Sequence, residues 1–158
     1  MPDSPAVRDM RDPANIRSLL FDAATRASTY LEQIYDRRVA VDPAALARLD
    51  AFDILLPEEP SDAAVPLAEL DSFSDATMAM SGPRFYGFVR GGNLPAALAA
   101  NWLAGAWDQN TVLEKVTPLT AKLETVALGW LVDLLKLPEG TGVGYVTGAT
   151  MAHFHGTL

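Results

Sequence analysis

The chain has 158 residues, of which 49% are hydrophobic and 20% are charged, so it is long enough and apolar enough to form a core. Its formal net charge is −8. The acidic excess falls in residues 1–80, and an acidic surface repels nucleic acid and anionic lipid. The absence of cysteine excludes disulfides and thiol catalysis. We expect no nucleic-acid or membrane partner and, without an export signal near the start, a cytoplasmic location.

The first half of the chain predicts helices. Asp12-Pro13 pairs a capping residue with proline at the first helical position, and apolar residues then recur at spacings of three and four as far as Arg37. Asp42-Pro43 repeats this signal ahead of a shorter helix that reaches Leu49. A third helix is predicted from Pro66 onward, after a solvated loop rich in proline and glutamate.

The middle of the chain predicts a loop followed by two apolar helices. Residues 81–93 combine three aromatics with four glycines, which prevents a regular helix. The apolar stretch 94–107 predicts a buried helix, because it is shorter than the roughly 20 residues that span a bilayer. Thr117-Pro118 begins a second amphipathic helix, which Leu137-Pro138 ends.

The last segment reads as a strand, a turn and the start of a helix. Val143, Tyr145 and Val146 are β-branched or aromatic residues among glycines, which predicts a short strand. A glycine and threonine turn between a strand and a helix aims backbone N–H groups at one point, and this arrangement suits an oxyanion such as phosphate. A plain connection explains the same residues.

Three segments in this order resemble the pyridoxal-phosphate-dependent amino acid decarboxylases of the group that includes aromatic amino acid, glutamate and histidine-type enzymes. The resemblance covers nearly the whole chain, and it is closer over residues 81–152 than over residues 1–80. The first segment is Gly-Pro-Arg-Phe-Tyr-Gly-Phe-Val at 82–89 with the run 94–100 that follows it. The second spans 117–124 and continues through 130–138, and the third is Val-Thr-Gly-Ala-Thr-Met-Ala at 146–152.

This resemblance implies an α/β fold, namely the N-terminal part of a fold-type-I transferase-like architecture in which this chain is mostly helical with one or two short strands. It implies an N-terminal helical dimerisation arm over residues 1–80. Residues 81–158 would be the start of the domain that binds pyridoxal phosphate. The implied partners are an amino acid substrate and a second subunit, either a copy of this chain or a full-length relative.

The resemblance also assigns site residues. Gly148, Ala149 and Thr150 match the family's phosphate cup, and the match ends there because many relatives have an acidic residue next. Phe85, Tyr86 and Phe88 match a segment that lines the substrate entrance in relatives. Phe85 and Phe88 fit equally well as core aromatics beneath a loop.

Two further stretches have open interpretations. Arg90 is a candidate partner for a carboxylate, although an exposed arginine is commoner. The stretch 107–110, Trp-Asp-Gln-Asn, approaches the partner's active site in relatives, and an ordinary helix C-terminus explains it equally well. We predict no metal site, because the spacing of His153 and His155 would place their rings on different faces of a helix.

The resemblance implies that this sequence lacks the family's catalytic residues. Decarboxylation with this cofactor needs a lysine that binds it covalently, an acidic partner for its ring nitrogen and a stacking group. The three lysines, Lys115, Lys122 and Lys136, all precede the cup and match no family lysine. We therefore expect a truncated decarboxylase subunit that is inactive and binds the cofactor weakly or not at all by itself. The alternatives are a non-catalytic dimerisation module and a part of another enzyme with this cofactor.

Overall fold

The computed structural model describes residue 9, residues 11–111 and residues 113–156, with side chains as far as residue 154. Within these ranges the regular structure is helical. The chain divides into two compact units, Met1–Pro95 and Ala96–Leu158. The α-helices are α1 Pro13–Glu32, α2 Pro43–Ala47, α3 Ala64–Ser72, α4 Pro95–Trp107, α5 Pro118–Leu135 and α6 Ala149–Gly156, and 3-10 turns lie at Leu49–Phe52 and Ser74–Ala76.

Aspartate caps begin the first two helices as the sequence predicts. The Asp12 carboxylate accepts a hydrogen bond from the Ala14 N–H at 2.9 Å, and Asp42 accepts one from the Ala44 N–H at 2.8 Å. In each case proline occupies the first helical turn, where its missing N–H costs nothing. Both predicted starts are confirmed.

The predicted end of α1 near Arg37 is wrong, because the helix stops at Glu32. Arg37 instead lies over the Tyr30 ring, with its guanidinium carbon 4.4 Å from the ring centroid. Its guanidinium also donates to the Ser74 carbonyl oxygen at 2.5 Å. Arg37 therefore lies beyond the end of α1 and contacts Tyr30 of that helix and Ser74 of the second 3-10 turn.

Arginine side chains connect the elements of the first unit. Arg26 donates to the carboxylates of Asp22 and Asp71, each at 2.9 Å, and thereby joins α1 to α3. Its hydrogen bonds to Asp22 and then Asp71 raise the pKa of Arg26 above its ordinary value, so this connection stays charged. Arg48 bonds to Asp75 at 2.6 Å and lies over the Phe73 ring.

The packed centre of the first unit is small. Its buried apolar side chains are Ile34, Ala45, Ala79 and Phe85. Gly82 allows the chain to pass close to this centre, because a Cβ there would lie 3.2 Å from the carbonyl oxygens of both Ala79 and Ile34. The predicted loop over 81–93 is confirmed, and it is anchored here by Phe85.

The second unit contains α4, α5 and α6. The predicted helices after Asn93 and after Thr117 are confirmed, and α5 ends three residues before Pro138. The predicted burial of the apolar stretch 94–107 is wrong, since no residue of α4 is buried. No residue of α5 is buried either. Hydrophobic periodicity specifies the face that would be covered, and burial requires a neighbouring element as well.

The α/β fold expected from the family resemblance is wrong for this structure. No strand or sheet occurs among the described residues, and the predicted strand at Val143, Tyr145 and Val146 has no regular structure. A strand needs a neighbour to satisfy its backbone N–H and C=O groups, and no other segment pairs with this one in the described ranges. The predominantly helical character predicted for the chain is seen.

None of the helices in the described residues combines the length and the apolar character that crossing a lipid bilayer requires.

Candidate functional site

The predicted phosphate cup lies at the start of α6. The helix begins at Ala149, and the Gly148 carbonyl oxygen accepts its first hydrogen bond, from the Ala152 N–H at 3.1 Å. Gly148 therefore occupies the N-cap position, and the backbone N–H groups of Ala149 and Thr150 have no acceptor within the helix. The predicted helix after the turn is confirmed, and residues 148–150 form its exposed first turn.

The electrostatics of this turn suit an anion. The N-terminal end of a helix carries about half a positive elementary charge. The first turn of α6 contains no acidic residue whose carboxylate would repel a bound anion. A Cβ added at Gly148 would meet no atom within 4 Å, so the space beside the backbone is open. The turn can therefore accept an oxyanion on backbone N–H groups and the Thr150 hydroxyl.

The three candidate aromatic residues of the loop differ in the exposure of their side chains. Phe85 is 8% exposed and belongs to the packed centre of the first unit, whereas Tyr86 is 91% and Phe88 77% exposed. Phe85 and Phe88 still touch, with ring centroids 6.2 Å apart and planes inclined at 30°. The core interpretation thus fits Phe85, and Tyr86 and Phe88 are the two side chains available to a ligand.

Arg84 fixes the base of this loop. Its guanidinium donates to the carbonyl oxygens of Tyr35 and Arg37 at 2.8 and 2.7 Å. Sequence reasoning missed this role, because nothing in the local pattern identifies a carbonyl acceptor 49 residues away. Arg90 is exposed at the far side of the loop. The loop belongs to the first unit and the cup to the second.

A cavity of about 290 Å³ lies at the start of α5. Thr117 is 3% exposed there, and its hydroxyl lies 3.0 Å from the Asn110 carbonyl oxygen and 3.3 Å from that of Leu113, which makes it a structural anchor. Sequence reasoning treated Thr117 as a helix start and as part of the family-like segment 117–124, and missed this buried anchoring role. The cavity is lined by Trp107, Gln109, Thr117, Pro118, Leu119 and Thr120.

The lysines are exposed. Lys136 pairs with Asp133 at 3.0 Å, with both side chains more than four-fifths exposed. Lys115 and Lys122 are exposed too. Among the described residues, no group of three or more histidines and carboxylates is arranged to hold a metal ion. The side chain of His155 lies outside the described residues.

Part of the chain is similar to a known decarboxylase. The tryptophan decarboxylase 1 of Oryza sativa subsp. japonica is 31% identical over 78 residues, in a match that covers 43% of this chain and 15% of the rice protein. The match thus spans a small part of its relative's length, and it suggests the decarboxylase family. No family model and no solved structure matches the chain.

Proposed function

We propose that this chain forms part of a pyridoxal-phosphate-dependent amino acid decarboxylase and contributes the cup for the cofactor's phosphate. The observation that carries the proposal is the partial similarity to a tryptophan decarboxylase. A helix start of suitable chemistry supports it at residues 148–150, the motif that resembles the family's phosphate cup. When bound, pyridoxal phosphate supplies a ring that accepts the electron pair of the broken bond.

Gly148, Ala149 and Thr150 have a binding role in this proposal. The first N–H groups of α6 and the Thr150 hydroxyl donate to phosphate oxygens, and Gly148 lets the backbone approach them closely. Hydrogen bonds to an ionised acceptor are worth about 1.5–3 kcal/mol each. Such an arrangement holds and orients the cofactor without reacting with it.

The covalent chemistry belongs to other residues in this proposal. Lys115, Lys122 and Lys136 all precede the cup, and the ion pair of Lys136 with Asp133 is a solvent-exposed contact at a helix end. We propose that the lysine, the acidic partner of the ring nitrogen and the stacking group come from outside the 158 residues of this sequence.

The exposed aromatic side chains of Tyr86 and Phe88 are the proposed substrate-facing groups of the loop. Because the similar rice protein is named a tryptophan decarboxylase, an aromatic amino acid is the first substrate to test. The proposed partner is a second subunit, either a copy of this chain or a full-length relative. The exposed apolar residues of α4 and α5 support that proposal, since a partner would remove them from water.

Because binding by the isolated chain is expected to be weak, the cup is tested by titrating isotope-labelled chain with a large excess of pyridoxamine 5′-phosphate and following the amide signals of residues 148–150 by NMR. This ligand has the phosphate but no aldehyde, so it cannot label lysine. We expect shifts at these amides, and none with pyridoxamine, which lacks the phosphate. Thr150→Val should weaken binding about 10-fold or more, because it removes a charge-assisted hydrogen bond.

Thr125→Val is the matched control, because Thr125 is an exposed helical threonine whose hydroxyl bonds to the Ala121 carbonyl oxygen within α5. It should leave the titration unchanged. Equal shifts with pyridoxamine, or equal affinity in the Thr150 variant, would show that this turn only connects two elements.

A further inference from the structure

The turn at the tip of the aromatic loop is strained. The Arg90 N–H donates to the Gly87 carbonyl oxygen at 3.3 Å and closes the turn. The two residues between them, Phe88 and Val89, both have φ of 54°. Positive φ at both central positions is the type I′ arrangement, which asparagine and glycine favour. A bulky or β-branched residue there pushes its Cβ toward the backbone, and Val89 is the more extreme of the two.

Besides this hydrogen bond, one side-chain contact favours the closed turn. The Phe88 ring lies against Phe85, whose own ring is anchored in the centre of the first unit. Gly87 permits this packing, because a Cβ there would lie 3.2 Å from Phe85 Cζ. Aromatic pairs of this geometry stabilise a structure only modestly beyond the area they bury, and Phe88 remains mostly exposed. The ring contact therefore offsets only part of the strain at Phe88 and Val89.

The surroundings of the turn leave it room to change. Val89 is fully exposed and Tyr86 nearly so, so neither gains burial from the closed form. Gly91 and Gly92 follow the turn, and a Cβ at either would meet no atom within 4 Å. Glycines in open space let the backbone rotate with little steric cost.

We propose that residues 86–90 form a two-state gate over Phe85. In the closed state Phe88 covers the Phe85 ring, as the structure describes. In the released state Phe88 and Val89 return to negative φ, the Arg90 hydrogen bond is broken, and the Phe85 ring is open to an apolar or planar group. The gate contains Tyr86 and Phe88, the proposed substrate-facing groups, but none of its parts belongs to the cofactor cup, because the loop lies in the first unit. Its test below uses neither substrate nor cofactor, so it can fail without the proposed function failing.

The hydrogen bond of the Arg90 N–H reports the gate by amide hydrogen exchange. The variant F88N/V89G replaces the strained pair with the residues that a type I′ turn favours. Relief at two positions corresponds to about 30-fold or more in the ratio of closed to released forms. We expect protection of the Arg90 amide to rise at least about tenfold in this variant. F88A keeps the strain at Val89 and loses the ring contact, so it should lose protection.

K136G is the matched control, because Lys136 also has φ of 54° but ends α5 in the second unit. It should leave the Arg90 amide unchanged, and the amides of α1 should show that the first unit is folded in every variant. Equal protection of Arg90 in the wild type and in F88N/V89G would overturn the gate. An Arg90 amide unprotected in both would overturn it as well, since no closed turn would then exist.

Discussion

Thr117 and Thr150 both lie at the beginning of a helix, yet only the Thr117 side chain is buried and used in internal hydrogen bonds. The Thr117 hydroxyl is buried and bonded to backbone carbonyl oxygens that precede α5. Thr150 is exposed in the first turn of α6. The residue type alone predicts either role, since threonine caps, anchors and binds ligands with the same hydroxyl. Burial decides between them, and it leaves Thr150 accessible to a ligand.

The lysines give a prediction at this scale. Pyridoxal phosphate followed by borohydride reduction should label the isolated chain only at low level, spread over Lys115, Lys122 and Lys136. All three side chains are exposed, so none is singled out for reaction by its surroundings. Peptide mapping by mass spectrometry checks the distribution. Stoichiometric labelling of one lysine would show that this sequence contains the covalent site after all.

A second prediction concerns Gly82. Gly82→Ala should destabilise the first unit by about 1–3 kcal/mol, because its Cβ would press on two backbone carbonyl oxygens that cannot rotate away. Urea unfolding followed by circular dichroism measures the change. Gly91→Ala, in the same loop, is the control for the lost glycine flexibility, because its Cβ would meet open space. Equal losses of stability in both variants would mean that the close approach at Gly82 does not contribute to the free energy of unfolding.

Helix starts were more predictable than helix ends in this chain. Asp12 and Asp42 cap their helices through contacts two residues away, which are visible in the sequence. The end of α1 falls at Glu32 with Gln33 as its cap, and Arg37 reaches Ser74 through a contact that belongs to the tertiary structure. The helix start at Ala149 was likewise local, whereas the strand predicted just before it required a partner that the described residues do not contain.

The exposed surface of α5 gives a prediction at the element scale. Gly129→Ala should stabilise the helix by about 0.5–1 kcal/mol, because alanine lowers the entropy of the unfolded chain and its Cβ would meet no atom within 4 Å. The rise in the thermal midpoint of the helical signal is the measurement. A loss of stability would mean that another surface packs closely on this position in solution.

Across the whole chain, the surface combines acid charge with uncovered apolar side chains. Trp130 and Leu134 of α5 are 73% and 75% exposed. Exposed apolar residues are ordinary when scattered, but contiguous patches mark surfaces that associate. The formal net charge of −8 opposes the approach of two copies. Association of this chain with itself should therefore be driven by apolar contact and limited by charge.

This balance gives a prediction with a definite sign. The chain should self-associate more strongly as salt is raised from about 10 mM to 0.15 M, because salt screens the repulsion between like charges without weakening apolar contact. Sedimentation velocity over a range of concentrations measures it. W130S/L134S should shift the distribution toward monomer, whereas Y86S, which removes a still more exposed aromatic of the other unit, should not. A wild-type chain that is monomeric throughout would contradict the prediction.

The sequence by itself determined where helices begin and which segments form loops, because caps, prolines, glycines and apolar spacing act over a few residues. It also identified the turn at 148–150, whose chemistry depends on local backbone donors. The tertiary structure alone decided which aromatic of the loop is buried and which arginines connect the elements. It also decided that residues 143–146 form no strand, since burial and strand pairing depend on segments far apart in the chain.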